Sequence, residues 1–289
     1  MSVYDKSGNV LQTVYGKNGQ ALAAVYSKDG EQIFPDGPIS LKVMEYNIGG
    51  WYDGSGQNVP ADKDQQYYEL QYGTIADNDP DILMMNEYWD TFSKAGRTAL
   101  SFLSTLFPYI YSAGGTTQYF GRCFCSKYPL SGYVSHVYAG QSQRYYDTII
   151  ANIAGQNVTL CVTHLGLTVA DRQTQAAELL SFLQSLQTPF IMAGDLNTAS
   201  SATTEGEDYI NVIKPLIDAG YQVANCGEFG RHITYKDTVG TKGQGSLDNI
   251  VFSPQFTITS VSVDDRKLSD QLEETADHMP LIATAEFEP

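Results

Sequence analysis

A recurring local pattern constrains this chain more than any other feature. Short apolar runs stop on side chains that can bind a metal or carry a proton. The clearest case is Phe190-Ile-Met-Ala-Gly-Asp195-Leu-Asn197. Phe190 to Ala193 reads as a short buried strand. In extended chain, residues i and i+2 point the same way, so Asp195 and Asn197 project together from its C-terminal end. That end is where open α/β sheets keep their sites. The strand at 41–47 likewise stops on Asn47, the run at 81–87 on Glu87 and the strand at 158–164 on His164, while Asp248 opens a strand and Asp277-His278 precedes the last one. Each residue alone has an ordinary reading as a turn, a solvated end or a cap. Six strand edges carrying such groups imply one shared site.

Between these runs the sequence predicts helices at 63–77, 98–106, 171–186 and about 207–219, the third with Asp171 near its start. Further strands are expected at 119–126, 147–153, 246–252, 255–263 and 281–287. Several strands follow one another directly, which points to mixed sheets rather than a parallel barrel. With 42% hydrophobic and 17% charged residues, the chain can build a sizeable core. Its net charge of −16 argues against a passive nucleic-acid binder, which needs a basic stripe to replace counterions. It does not exclude an enzyme that meets phosphate through a bound cation. Cys123, Cys125, Cys161 and Cys226 show no CxxC spacing and read as small buried hydrophobes, with a disulfide to Cys161 or Cys226 as the minor alternative.

The N-terminus is a separate object. Val3-Tyr4-Asp-Lys6-Ser-Gly8, Val14-Tyr15-Gly-Lys17-Asn-Gly19 and Val25-Tyr26-Ser-Lys28-Asp-Gly30 are in register, so Tyr, Lys and Gly recur every eleven residues. Turn dipeptides between strand formers predict three β-turn units. The module is too short to hold its own core, so it must pack on the main domain, on another copy or on a partner. Pro35-Asp-Gly-Pro38 closes it, giving a repeat module and linker at 1–38 and a main domain at 39–289. The repeats resemble those preceding enzymatic domains in some phage structural and tail-associated proteins. Met1-Ser-Val-Tyr-Asp5 lacks a signal pattern and no apolar run has membrane-spanning length, which leaves cytoplasmic and virion-associated locations open.

Taken in order, Glu45-Tyr-Asn47, Asn86-Glu87, Tyr119-Phe-Gly with Ser126-Lys-Tyr-Pro129, Arg144, Thr163-His164-Leu, Gly194-Asp-Leu-Asn197, Leu247-Asp248-Asn-Ile and Asp277-His278-Met-Pro280 resemble the endonuclease/exonuclease/phosphatase superfamily, with its deoxyribonuclease I-like fold. The resemblance runs from residue 41 to 287 and leaves out the repeat. It implies an α/β four-layer sandwich, two mixed β-sheets face to face with helices outside, and a site at one edge of the sheets. It also implies a metal-dependent phosphodiester hydrolase. The expected metal ligands are Asn47, Glu87 and Asp277, with Asp195 as a further sharer, for Mg2+ or Mn2+. His278 would serve phosphate or water, with Asp248 behind it fixing the tautomer. Asp195 would orient or deprotonate the attacking water and Asn197 would hold the phosphate. His164 is the candidate acid for the leaving group, and Tyr119 and Arg144 are further phosphate donors.

Secreted deoxyribonucleases place a carboxylate behind the equivalent of His164, whereas 116–122 here contains no acid. His136 reads as structural, and His232 as a residue that lines the cleft or merely its surroundings. The expected substrate is nucleic acid, cut as DNA with little sequence preference. The competing reading is a lipid or small-molecule phosphoester, as for a sphingomyelinase or inositol-phosphatase type; Trp51-Tyr52 and Tyr88-Trp89 read either as an aromatic rim that stacks bases or sits at a membrane interface, or as core packing. A third is a virion or surface protein carrying this domain.

Overall fold

The computed structural model describes residues 25–26, 32–34, 37–49, 64–88, 93–94, 97–113, 121–139, 144–198, 206–236, 244–265 and 278–288. Two six-stranded mixed sheets lie face to face. The strands are β1 (Ile39–Asn47), β2 (Ile82–Asn86), β3 (Tyr109–Ala113), β4 (Arg122–Ser126), β5 (Leu130–Val134), β6 (Tyr145–Ile153), β7 (Gln156–His164), β8 (Phe190–Asp195), β9 (Gln222–Val223), β10 (Asp248–Phe252), β11 (Phe256–Val263) and β12 (Leu281–Phe287). The first sheet runs β11-β12-β1-β2-β4-β3 and the second β9-β10-β8-β7-β6-β5.

Strand alternation sorts the side chains into layers. Leu41 and Val43 of β1, Ile82 and Met84 of β2, Leu160 and Val162 of β7 and Ile250 and Phe252 of β10 form the core between the sheets. Met44, Tyr46, Leu83 and Met85 point outward beneath α1 (Asp64–Asn78) and α2 (Ala99–Leu106). Met192 and Val251 point outward from the second sheet toward α3 (Val169–Ser185) and α4 (Lys214–Asp218). This is the four-layer sandwich the resemblance implied.

Each sheet contains one parallel pair: β1 with β2, bridged by α1, and β7 with β8, bridged by α3. A parallel pair needs such a crossover, and its strands end side by side. Asn47 is therefore level with Asn86, and His164 with Asp195. Their antiparallel neighbours start at the same edge, so Asp248 lies opposite Asp195. Gly194 is required by this pairing: a Cβ there would lie 1.9 Å from the Thr163 carbonyl oxygen.

Several boundaries differ from expectation. β6 starts at Tyr145, two residues early, and β4 is described only from Arg122. The helix expected at 207–219 is a π-turn (Tyr209–Ile213) leading into the short α4. α3 starts at Val169, capped by the Thr168 side chain, with Asp171 inside its first turn. β3 and β5 were not legible in the sequence: both are edge strands with exposed residues, so neither shows a buried face. None of the four cysteines is in a disulfide; three are buried and Cys226 is half-buried. Val25–Tyr26 pairs antiparallel with Gln32–Phe34, and the first two repeats lie outside the described residues.

Candidate active site

The inward positions just above the core are polar on β1, β2, β7, β8 and β10. β1 supplies Glu45 and Asn47, β2 supplies Asn86, and β7, β8 and β10 supply His164, Asp195 and Asp248. All are at most 3% exposed, and His278, ahead of β12, is 5% exposed. So many buried polar groups persist only where they bond one another or a ligand.

Asn47 is the hub. Its Nδ2 faces Glu87 Oε1 at 3.2 Å, Asp195 Oδ2 at 3.1 Å and His278 Nε2 at 3.5 Å, while its Oδ1 accepts from Gly49 N at 3.1 Å. His278 Nδ1 bonds Asp248 Oδ2 at 2.8 Å. Asp195 Oδ2 lies 3.3 Å from His164 Nε2 and 3.6 Å from His278 Nε2, so one carboxylate oxygen stands between two imidazoles. Thr234 accepts the backbone N–H groups of Leu247 and Asp248 with its hydroxyl, fixing where β10 begins. Glu87 has a positive φ of 54°, an uncommon conformation for a side chain larger than Gly. The chain after it packs flush on Gly121: Tyr88 N donates to the Gly121 carbonyl, and a Cβ on Gly121 would lie 1.5 Å from the Tyr88 carbonyl oxygen.

The charges follow from burial and neighbours. Burial alone would raise the Asp195 carboxyl, but His164, His278 and the Asn197 N–H outweigh it and hold the pKa well below the usual carboxylate range. Burial lowers His164 against the pull of Asp195, and the Arg144 charge lowers it further. His164 Nδ1 has no hydrogen-bond partner among the described residues, in keeping with the missing acid behind it. Burial pushes the Asp248 carboxyl up to about 6 although His278 pulls it down, and its Oδ1 finds no partner among the described residues.

A second polar layer lies beneath. Asn86 donates to Glu45 Oε1 at 3.3 Å and accepts from the Tyr145 hydroxyl at 2.9 Å. The Arg122 guanidinium sits 4.2 Å from the centre of the Tyr145 ring and pairs with Asp147, which also accepts from Tyr133 at 2.5 Å and Ser135 at 2.8 Å. Arg122 and Asp147 come from opposite sheets, so the pair joins them beside the site. Burial, then Asp248, raise the Glu45 carboxyl well above its ordinary value. Glu45, Tyr145 and Arg122 were missed as site groups in the sequence. The signal for Glu45 was its place two residues before Asn47, on the inward face that Leu41 and Val43 define.

Of the expected site residues, Asn47, Glu87, Asp195, Asp248, His278 and His164 come together. Asn197 adjoins them at a φ of 50°, its backbone N on Asp195 Oδ1 at 2.8 Å and its Nδ2 on the Leu165 carbonyl at 2.9 Å. Arg144 is half-buried, and its charge acts on both His164 and Tyr145. Tyr119 and Asp277 lie outside the described residues, as do Trp51, Tyr52 and Trp89. Tyr88 does not belong to an aromatic rim: it is 1% exposed, packed with Met44 and Ile75 on the helix side of the first sheet. His136 stacks on Tyr146 at 4.6 Å and is structural. His232 bonds the Phe229 carbonyl at 3.0 Å within its own loop.

A model of the endonuclease/exonuclease/phosphatase family matches residues 55–278, more than half of the chain. The chain belongs to this family. It is a hydrolase acting on phosphoester bonds. No curated protein sequence matches it. Solved structures share the fold at low identity. TDP2 from Caenorhabditis elegans, in truncated form, is 18% identical with a TM-score of 0.63, covering 86% of this chain and 98% of that one. D. rerio TDP2 complexed with single strand DNA product is 16% identical with a TM-score of 0.66, covering 85% and 98%. The human Nocturnin catalytic domain with bound sulfate anion is 19% identical with a TM-score of 0.61, covering 86% and 95%.

Enzymes of this family generally depend on a divalent metal. The donor set fits one: Glu87 and Asp195 bring carboxylate oxygens to either side of the Asn47 carboxamide, and atoms of Asp195, Asp248 and His278 lie within 4.8 Å of one another. His278 Nδ1 is taken by Asp248, which leaves its Nε2 facing Asp195 and Asn47.

Proposed function

We propose that this enzyme is a metal-dependent phosphodiesterase that cuts DNA endonucleolytically with little sequence preference. The observation that carries the reading is Asp195 standing between His164 and His278, with Asp248 behind the second. Hydrolysis of a phosphodiester needs an oriented water, donors for the non-bridging oxygens and a proton for the leaving oxygen. Asp195 stays ionised and orients the water. His278, its tautomer held by Asp248, presents Nε2 to the phosphate or the water. Asn197 and Arg144 hold the phosphate oxygens. His164 rests neutral, since burial opposes its charge; an arriving phosphate anion favours the protonated ring and readies it as the acid for the leaving oxygen. Asn47, Glu87 and Asp277 would hold Mg2+ or Mn2+, which supplies positive charge to the phosphate when bound. In this reading 39–289 is the catalytic domain, and 1–38 serves attachment to a partner, a virion or a second copy.

A lipid or small-molecule phosphoester is the second reading. It draws on Leu167, 74% exposed three residues after His164, and Ile233, 44% exposed beside Thr234. Offering supercoiled plasmid and a lipid phosphodiester side by side separates the two. The proposal expects nicked plasmid; intact plasmid with hydrolysed lipid would transfer the site to the second reading.

A further inference from the structure

The loop 165–167 joins His164 to α3 and is bolted to that helix. Gln175, 1% exposed, accepts the Gly166 N–H at 2.7 Å. Arg172, 4% exposed, gives Nη1 to the carbonyls of Leu167 at 2.7 Å and Gly166 at 3.4 Å. Its Nε and Nη2 form a two-pronged pair with Asp208 at 2.7 and 3.0 Å, also buried. Gly166 sits flush on the first turn of α3, where a Cβ would come 2.6 Å from Cβ of Asp171. A buried ion pair is a weak source of stability, because desolvation offsets the attraction. Here the guanidinium spends further donors on one loop, which fixes geometry.

The loop's other bonds go to the catalytic edge. Leu165 N donates to the Asp195 carbonyl at 2.9 Å, and the Leu165 carbonyl receives Nδ2 of Asn197 at 2.9 Å. Asn197 is in the left-handed region, which Asn tolerates better than most residues, and its Nδ2 bond to the Leu165 carbonyl sets where its carboxamide points. We infer that Gln175 and the Arg172–Asp208 pair are positioning residues of the active site, setting the Leu165 carbonyl that aims the Asn197 carboxamide. The inference rests on the assignment of Asn197 to the phosphate. Misplacing a positioned group by about 1 Å can cost on the order of 100-fold in rate.

The test is a double-mutant cycle on the full chain with Mn2+ and a soluble chromogenic phosphodiester. Gln175→Ala and Arg172→Lys are each made in the wild type and in Asn197→Ala, with circular dichroism confirming the fold. In the wild-type background Gln175→Ala is expected to lower kcat about tenfold with KM within about twofold; in the Asn197→Ala background it should lower kcat little further. Equal losses in both backgrounds, or none in the wild type, would overturn the inference. If Arg172→Lys fails to fold, Gln175→Ala decides alone. Full activity of Asn197→Ala would instead remove the phosphate assignment, and the positioning role with it.

Discussion

Asp248 shows at residue scale how the site trades stability for chemistry. One of its oxygens holds His278 and the other has no partner among the described residues. Burial sets the folded pKa at about 6, against about 3.9 for an unfolded Asp. A folded pKa above the unfolded one contributes stability that is complete below about pH 4 and is lost as pH rises through about 6. In urea unfolding with chelator, wild type should therefore lose stability relative to Asp248→Asn across that window and level off above it. A difference independent of pH would show that Asp248 does not titrate there. The same substitution should lower activity roughly 10–100-fold, since the group orients its neighbour without touching substrate. Asp248, Asp195 and His164 were readable in the sequence because each interrupts an apolar run at its edge. Glu45 was passed over although its place two residues before Asn47 puts it on the same face, and Tyr145 because it precedes where the strand was read to begin.

At the scale of elements, the site follows from two parallel strand pairs whose ends meet across the sandwich. β2 and β8 were legible because both faces are buried, which leaves a continuous apolar run, and β1 through its alternation. Edge strands β3 and β5 and the π-turn before α4 were not, since nothing in local periodicity separates them from loop. Which strands pair is a tertiary fact, and with it the reason for Gly194. That glycine lets β8 approach the Thr163 carbonyl beside Asp195. Gly194→Ala should destabilise the fold by about 1–3 kcal/mol or more, read as a lower denaturation midpoint, with loss of activity. Unchanged stability would mean that β7 and β8 can separate without cost.

At the scale of the molecule, the net charge of −16 would oppose the proposed substrate, DNA, at long range. A basic nuclease loses affinity as salt rises, because it releases counterions. Here the long-range term is repulsive and should fade as the Debye length falls from about 30 Å at 0.01 M to about 8 Å at 0.15 M. At fixed Mg2+, kcat/KM on plasmid is therefore expected to rise or hold level over that range; a steep fall would reveal a basic track that the net charge conceals. We propose that the Asn47–Glu87 edge seats the cation and that the paired carboxylate and imidazoles beside it do the hydrolysis. Nicking of supercoiled plasmid by wild type and Glu87→Gln, with Mg2+, Mn2+ or chelator, tests it most directly. The expected result is nicking by wild type that needs the metal and is absent from a folded Glu87→Gln. Undiminished nicking by that variant, or by wild type in chelator, would contradict it.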